Sequence, residues 1–402
     1  MPLKKVSLKN FRTCQNIELT DLGHLAVLMG RNGVGKTNIL QGIEQLAETA
    51  SNLEGTFQES LDLMGELVFC VRGIQFRYAI KNIVFPKENE YEELDFYGLE
   101  EKLERQDISG VWHSVLSRSG QIVLGKEGES LVEINQSMPM LPAIVAMTPN
   151  DFTKDEIFPV LAYFRAFKYY AFDENKDDPN SFRRSEYLKW LTSSGEKHDS
   201  VIKRLLHMYL NRKGDFDELN EILGVNGLGV IHSIAINQTG SKDQINYSNK
   251  SMQKSNLSGE DNIIYFVYFN PGNGWENVDF LPKLPFSKLS AGTRRIIRIL
   301  VSFFYDCNSL FLFEQPEDAI HPGLLRKLID ILRGYDDKGQ LIMTSHSSDL
   351  FDVLRPEEVQ LVTMQGGETQ VRGLTESELA GAKRYINEEG SLSDYLEMLE
   401  DY

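Results

Sequence analysis

Eight consecutive residues, Gly30-Arg31-Asn32-Gly33-Val34-Gly35-Lys36-Thr37, have the types and spacing of a loop that wraps phosphate groups. The glycines Gly30, Gly33 and Gly35 let the backbone bend, so that the N–H groups of the loop wrap an anion. A helix start directly behind the loop adds its dipole. Lys36 is placed to reach the β- and γ-phosphates of ATP, and the Thr37 hydroxyl is a ligand type for Mg2+.

Three further strings match this chemistry. Leu289-Ser290-Ala291-Gly292-Thr293 precedes a helical pattern, and the Ser290 hydroxyl with the N–H groups around Gly292 can cradle a second anion. Alone, the string also reads as an ordinary serine cap. The apolar run 309–313 ends in Glu314, a carboxylate at the carboxyl end of a strand, where it can order Mg2+ and its waters. The strand 340–344 is followed by Ser345-His346-Ser347, and His346 can hydrogen-bond a γ-phosphate. Phosphate loop, Leu-Ser-x-Gly helix, acid-ended strand, then strand plus histidine is the order of an ABC ATPase. In that architecture Ser290 and Gly292 complete the site of a second subunit, so ATP joins two copies.

The elements that must carry these residues follow from periodicity. Val6, Leu8 and Phe11 mark a strand, 17–19 a second, and the apolar run 24–29 a buried third. Ile39, Leu40, Ile43, Leu46 and Ala47 give a helix over 38–50. Residues 67–85 read as two antiparallel strands and 111–134 as further short ones. Residues 152–223 read as mostly helical, 230–236 and 263–269 as strands, and 238–261 as a polar loop. Then come a helix (293–305), a strand (309–313), a helix (322–333), a strand (340–344) and a helix (348–353). Alternating strands and helices predict an α/β fold with a parallel-rich sheet.

The 402 residues are 41% hydrophobic and 25% charged, the composition of a globular protein. A net charge of −17 excludes a chain coated in DNA-binding surface. Charge is uneven: 86–106 and the tail from Glu388 are acidic, whereas 182–213 is basic, and each reads as a solvated face. Cys14, Cys70 and Cys307 have no metal or disulfide spacing and fit a cytoplasmic protein with reduced thiols. There is no signal-peptide pattern and no membrane-length apolar run.

LKNFR at 8–12, GRNGVGKTNIL, the LSAGT helix, FLFEQPEDAIHP and LIMTSHSSDLF together resemble the RecF/OLD-like ABC ATPases. More narrowly, they resemble stand-alone AAA-family ATP-binding proteins of bacterial antiphage defence systems. The likeness is specific over about 1–50 and 280–365. It implies an ABC-type ATPase head, a P-loop NTPase fold with a mixed central sheet. Residues 1–150 would be a β-rich first lobe, 151–260 a mostly helical insertion, and 261–402 the second lobe. It also implies that Arg12 lies beside the nucleotide, that Glu314 and Thr37 hold Mg2+, that His346 is the switch histidine, and that 318–321 cross a homodimer interface. The glutamine that links Mg2+ to the lobe in this family has no evident counterpart.

The chain departs from the family at Gln315, where the residue after the metal-binding acid is usually a glutamate that polarises the attacking water. An amide accepts no proton at neutral pH, so ATP binding with little turnover is expected. Two origins stay open: an engineered exchange of the kind that traps ATP-bound dimers, and a natural slow enzyme. Three functions are compatible. The first is a defence ATPase controlling a separate effector such as a nuclease, for which Leu392, Tyr395, Leu396 and Leu399 behind a Ser391–Asp394 capping box offer a dock. The second is a RecF-like clamp on DNA, gripping through 182–213 with Arg294, Arg295 and Arg298. The third is an ATP-bound scaffold.

Overall fold

The computed structural model describes residues 2–52, 63–85, 96–135, 137–148, 153–172, 179–192, 200–239, 263–271, 283–388 and 390–399. Strands β1 (Leu3–Phe11), β2 (Cys14–Leu19) and β3 (Leu25–Met29) precede helix α1 (Lys36–Ser51). Six strands follow: β4 (Met64–Val71), β5 (Ile74–Phe85), β6 (Phe96–Gln106), β7 (Trp112–Ser119), β8 (Ile122–Leu124) and β9 (Ser130–Glu133). Helix α2 (Met140–Met147), a π-helical turn (Thr153–Ile157), α3 (Phe158–Arg165) and β10 (Phe167–Tyr170) come next. Then come β11 (Ser181–Arg183), α4 (Arg184–Thr192), α5 (Val201–Asn211), α6 (Lys213–Leu223), β12 (Ile231–Thr239) and β13 (Ile264–Pro271). The chain continues through α7 (Ala291–Tyr305), β14 (Leu310–Glu314), α8 (Pro322–Gly334), β15 (Gln340–Ser345) and α9 (Ser348–Phe351). It finishes with β16 (Val359–Gln365), β17 (Glu368–Gly373), α10 (Glu376–Glu388) and α11 (Leu392–Leu399).

The chain divides into two units. The first consists of Met1–Ala171, Cys307–Glu317 and Ile329–Tyr402, the second of Phe172–Asp306 and Asp318–Leu328. Among the described residues the first unit holds two sheets. One has the order β10-β14-β15-β3-β16-β17, parallel from β10 to β16 and closed by the antiparallel β17. Its strands β3 and β15 are buried at every residue, as continuous apolar runs in a two-sided parallel sheet must be. Because β3, β14 and β15 run in one direction, their carboxyl ends share one sheet edge, where ligands of open α/β sheets bind. The other sheet is antiparallel, β2-β1-β4-β5-β6-β7-β8-β9. Helix α1 buries Ile39, Leu40, Ile43, Leu46, Ala47 and Ala50, a stripe at helical spacing, in the core of this unit. Truncating such a residue, Ile43→Ala for example, costs about 2–5 kcal/mol.

The second unit pairs β11, β13 and β12 into an antiparallel sheet beside α4–α7. Its organising side chain is Arg204 on α5, 2% exposed, which donates to Ser302 Oγ at 3.2 Å and pairs with Asp306 at 3.2 Å. Arg212 donates to the carbonyls of Phe304 (2.9 Å) and Tyr305 (2.7 Å) at the end of α7, where a cation satisfies orphaned acceptors.

Several expectations need correction. The region 152–223 is not simply helical, because β10 and β11 lie within it. Four residues, Phe-Lys-Tyr-Tyr, are enough for a strand when β14 supplies a parallel partner. The acidic stretch 86–106 is not all a solvated face: β6 lies between β5 and β7. Glu101 is buried there, accepting from Tyr78 (2.5 Å), Arg118 (3.1 Å) and the Met140 N–H (2.9 Å). Glu104 pairs with Arg77 at 2.5 Å and Lys102 at 2.8 Å. The basic stretch 182–213 is likewise partly spent inside its own unit, through Arg204 and Arg212, whereas the Lys213–Asp217 pair is exposed, as a solvated face would be. The hairpin β16–β17 and helix α10 were not expected. The loop read at 238–261 lies almost wholly outside the described residues, as do 86–95 of the acidic stretch and Lys197 of the basic one.

Candidate nucleotide site

The phosphate loop leaves β3 at Gly30 and enters α1 at Lys36. A side chain at Gly30 would collide with the Val362 carbonyl of β16. Gly35 stands at φ 98°, and a side chain there would collide with Thr369 Oγ1 of β17. The loop is thus pressed against the β16–β17 strands by the two glycines that bracket it. Thr369 Oγ1 also donates to the Val34 carbonyl at 2.9 Å, and its N–H donates to the Thr13 carbonyl at 2.8 Å. The Lys36 ammonium is nearly buried and folds back over the loop, donating to the carbonyls of Gly30 (2.6 Å) and Arg31 (2.9 Å).

Thr37, in the first turn of α1, donates its hydroxyl to Glu314 Oε1 at 2.5 Å. The two residues expected to hold Mg2+ are therefore in contact although 277 residues separate them. Among the described residues no cluster of three or more His, Cys, Asp or Glu side chains could cage a metal. One carboxylate beside one hydroxyl instead fits Mg2+ held largely by phosphates and water. The donor set fits the ion.

Arg12 lies in the β1–β2 turn with φ 52°, and its guanidinium donates to Asn38 Oδ1 at 3.3 Å and to Gln41 Oε1. Asn38 in turn donates to Thr13 Oγ1 at 2.8 Å. The NFR arm is thus tied to the first turns of α1.

Beyond β14, Gln315 sits at φ 44°, a left-handed conformation rare outside glycine, Asn and Asp. Its N–H donates to the Thr344 carbonyl and hydroxyl, both at 3.2 Å. Its amide donates to His346 Nδ1 at 3.2 Å, so the imidazole accepts through that nitrogen. Glu317, buried, accepts from Ser345 Oγ at 2.5 Å and from the His346 N–H at 3.4 Å. Ser345 Oγ accepts from the Ser347 N–H at 3.0 Å. The loop after β15 is thereby anchored to the end of β14.

In the second unit Ser290 caps α7, accepting from the Thr293 N–H at 3.1 Å. A side chain at Gly292 would collide with the Ala319 carbonyl. Arg295 pairs with Asp318 at 3.5 Å and donates to the Phe172 carbonyl at 2.7 Å.

Among the described residues, the participants that the sequence did not mark include Thr13, Gln41, Glu44, Tyr169, Glu317 and Thr369. Tyr169 donates its phenol to Glu314 Oε2, and its N–H donates to Glu44 Oε1 at 3.0 Å. Burial, and then the hydrogen bond to Glu314, push the phenol pKa above its ordinary value. Burial raises the Glu44 carboxyl to about 7. The run of aromatic residues at 167–170 was the available signal for β10.

Known proteins are similar to this chain. A family model described as "AAA ATPase domain" matches residues 1–104. An "ATP/GTP phosphatase" of Helicobacter pylori is 19% identical over 365 residues, covering 88% of this chain and 87% of that protein. The "DNA replication and repair protein RecF" of Lactococcus lactis subsp. cremoris is 38% identical over 66 residues, 16% of this chain and 18% of that one. The SMC head domain from Thermotoga maritima aligns over 93% of this chain and all of that chain at 12% identity, with a TM-score of 0.44. An SMC head bound to the C-winged helix domain of ScpA aligns over 95% at 12% identity, with a TM-score of 0.46. The phosphate loop, the acid-ended β14 and the histidine after β15, gathered on one sheet edge, make the fold an ABC-type ATPase head of the RecF/OLD-like kind. A second family model, described as "AAA domain, putative AbiEii toxin, Type IV TA system", matches residues 149–352, more than half of the chain, and the chain belongs to that family.

Proposed function

We propose that this ATPase binds ATP and Mg2+ between two copies of itself and uses the closed pair to control a separate effector, in defence against phage. The observation that carries the nucleotide reading is the contact of Thr37 with Glu314, beside the folded Lys36. Lys36, the loop N–H groups and Asn38 bind the phosphates. Thr37 and Glu314 hold the metal, which would supply charge neutralisation and fix the phosphate oxygens. Arg12 steadies the first turns of α1. His346 faces the γ-phosphate, and Gln315 orients water without taking its proton. Ser290 and Gly292 at the start of α7 serve the nucleotide of the partner copy. The family description, which names a putative toxin of a toxin–antitoxin system, supports a role in which a second protein is restrained or released.

The C-terminal stripe is a poor dock for that effector. The capping box forms, with Ser391 N–H to Asp394 at 3.2 Å and Asp394 N–H to Ser391 Oγ at 3.3 Å. Leu392 and Leu396, however, are buried in their own unit, and Tyr395 lies against Tyr385.

Sedimentation with and without ATP and Mg2+ tests the dimer. A nucleotide-dependent dimer that Lys36→Ala and Ser290→Arg each abolish is expected; a monomer under all conditions refutes it. A second reading, an ATP-bound scaffold with little turnover, is favoured by Gln315 itself. A RecF-like DNA clamp has the local RecF similarity in its support. Tight duplex binding that weakens steeply with salt would favour the clamp.

A further inference from the structure

Glu314 has two carboxylate oxygens, and two hydroxyls take one each. Thr37 donates to Oε1 and Tyr169 to Oε2. The second partnership follows from register. Tyr169 pairs with Leu312 across the parallel β10–β14 ladder, so Glu314 lies two residues further along the same sheet face. At about 3.3 Å of rise per residue the offset along the strands is about 6.6 Å, and the tyrosine and glutamate side chains bridge it together. The phenol is held in turn. Gln41 of α1 hydrogen-bonds it, and Arg12 donates to Gln41. The Tyr169 N–H is fixed to Glu44, one turn further along α1. Strand β10, helix α1 and the β1–β2 turn thus converge on one carboxylate oxygen.

We infer that Tyr169 is a positioning residue for the metal-binding carboxylate: its phenol pins Oε2 of Glu314, leaving Oε1 turned toward Thr37 and the phosphate loop. It also couples the metal site to Arg12 through Gln41. This rests on the reading of Glu314 as the metal's carboxylate. Outer partners that orient a ligand affect metal affinity about 10–100-fold.

The test is Mn2+ binding, followed by electron paramagnetic resonance of the free ion, to the full chain loaded with a non-hydrolysable ATP analogue. Tyr169→Phe should weaken Mn2+ binding about tenfold, while analogue affinity in EDTA and the melting temperature stay close to those of the parent. Glu314→Ala is measured alongside. If Glu314→Ala weakens Mn2+ binding and Tyr169→Phe leaves it unchanged or tightens it, the role of Tyr169 is refuted and the site stands. If Glu314→Ala leaves Mn2+ binding unchanged, both fall.

Discussion

The side-chain amide of Gln315 donates to Nδ1 of His346 at 3.2 Å, joining the residue after Glu314 to the residue after the next strand. This bond fixes polarity: the imidazole accepts at Nδ1 and carries its proton on Nε2 when neutral. A glutamate at 315 would reverse it, since a carboxylate only accepts. Gln315→Glu should therefore move the histidine proton to Nδ1 and restore a base for water. Turnover is expected to rise by about 10²–10⁴, the usual contribution of a general base. Phosphate release under saturating ATP is the measurement, and an unchanged rate would remove Gln315 from the water-activating place.

Lys36→Ala removes the only ammonium of the phosphate loop. Nucleotide binding, followed with a fluorescent ATP analogue, should fall below detection at micromolar protein, whereas Lys36→Arg should retain part of it. Near-parental affinity in the alanine variant would contradict the cradle.

Thr369→Val keeps the shape of the side chain and removes the hydroxyl that donates to the Val34 carbonyl. One hydrogen bond is worth about 1 kcal/mol, so a loosened loop should bind ATP about fivefold more weakly. Isothermal titration decides, with Thr369→Ser expected to preserve the affinity.

Glu317→Leu leaves the buried Ser345 hydroxyl and the His346 N–H without their acceptor. The expected loss of stability is about 1–3 kcal/mol, read from denaturant unfolding. In a Gln315→Glu background it should also lower turnover, because the histidine loop loses its anchor. A variant as stable and as active as its parent would show that loop to be held otherwise.

Glu44 gives a pH dependence. Its carboxyl is raised from 4.5 to about 7 by burial, opposed by the Tyr169 N–H. The folded chain therefore holds this proton more tightly than the unfolded one. The associated stability is complete below about pH 4.5 and is lost as pH rises through about 7. Glu44→Gln keeps an acceptor for Tyr169 and carries no charge. It should melt at a higher temperature than the parent above pH 7 and match it near pH 4.5. Parallel melting curves across that range would refute the assignment.

The nucleotide edge was legible because its parts are local. Runs such as 24–29 and 340–344 announce buried strands of a parallel-rich sheet, and Gly30 to Thr37 carries its chemistry in eight adjacent residues. Glu314 and His346 followed from their places at strand ends. The missed partners are tertiary. Thr369 reaches Val34 across 335 residues, and Tyr169 reaches Glu314 across 145. Neither has a local pattern to mark it. Strand β6 was hidden by charge: Glu101 and Glu104 read as solvent-facing until β5 and β7 bring Arg77 and Arg118 alongside. The β16–β17 hairpin did carry a signal, the Gly366-Gly367 turn at φ 60° and 89°.

Strand β3 lies between β15 and β16, and the loop that follows it leans on β17. The ribosome makes β3 well before β15 and β16, its two neighbours in the sheet. Until the chain has emerged past Gly373, the phosphate loop has neither its flanking strands nor Thr369 beneath it. Competence to bind nucleotide is accordingly acquired only once β15, β16 and β17 have been made, and a chain released before them would carry the whole glycine motif yet hold no ATP.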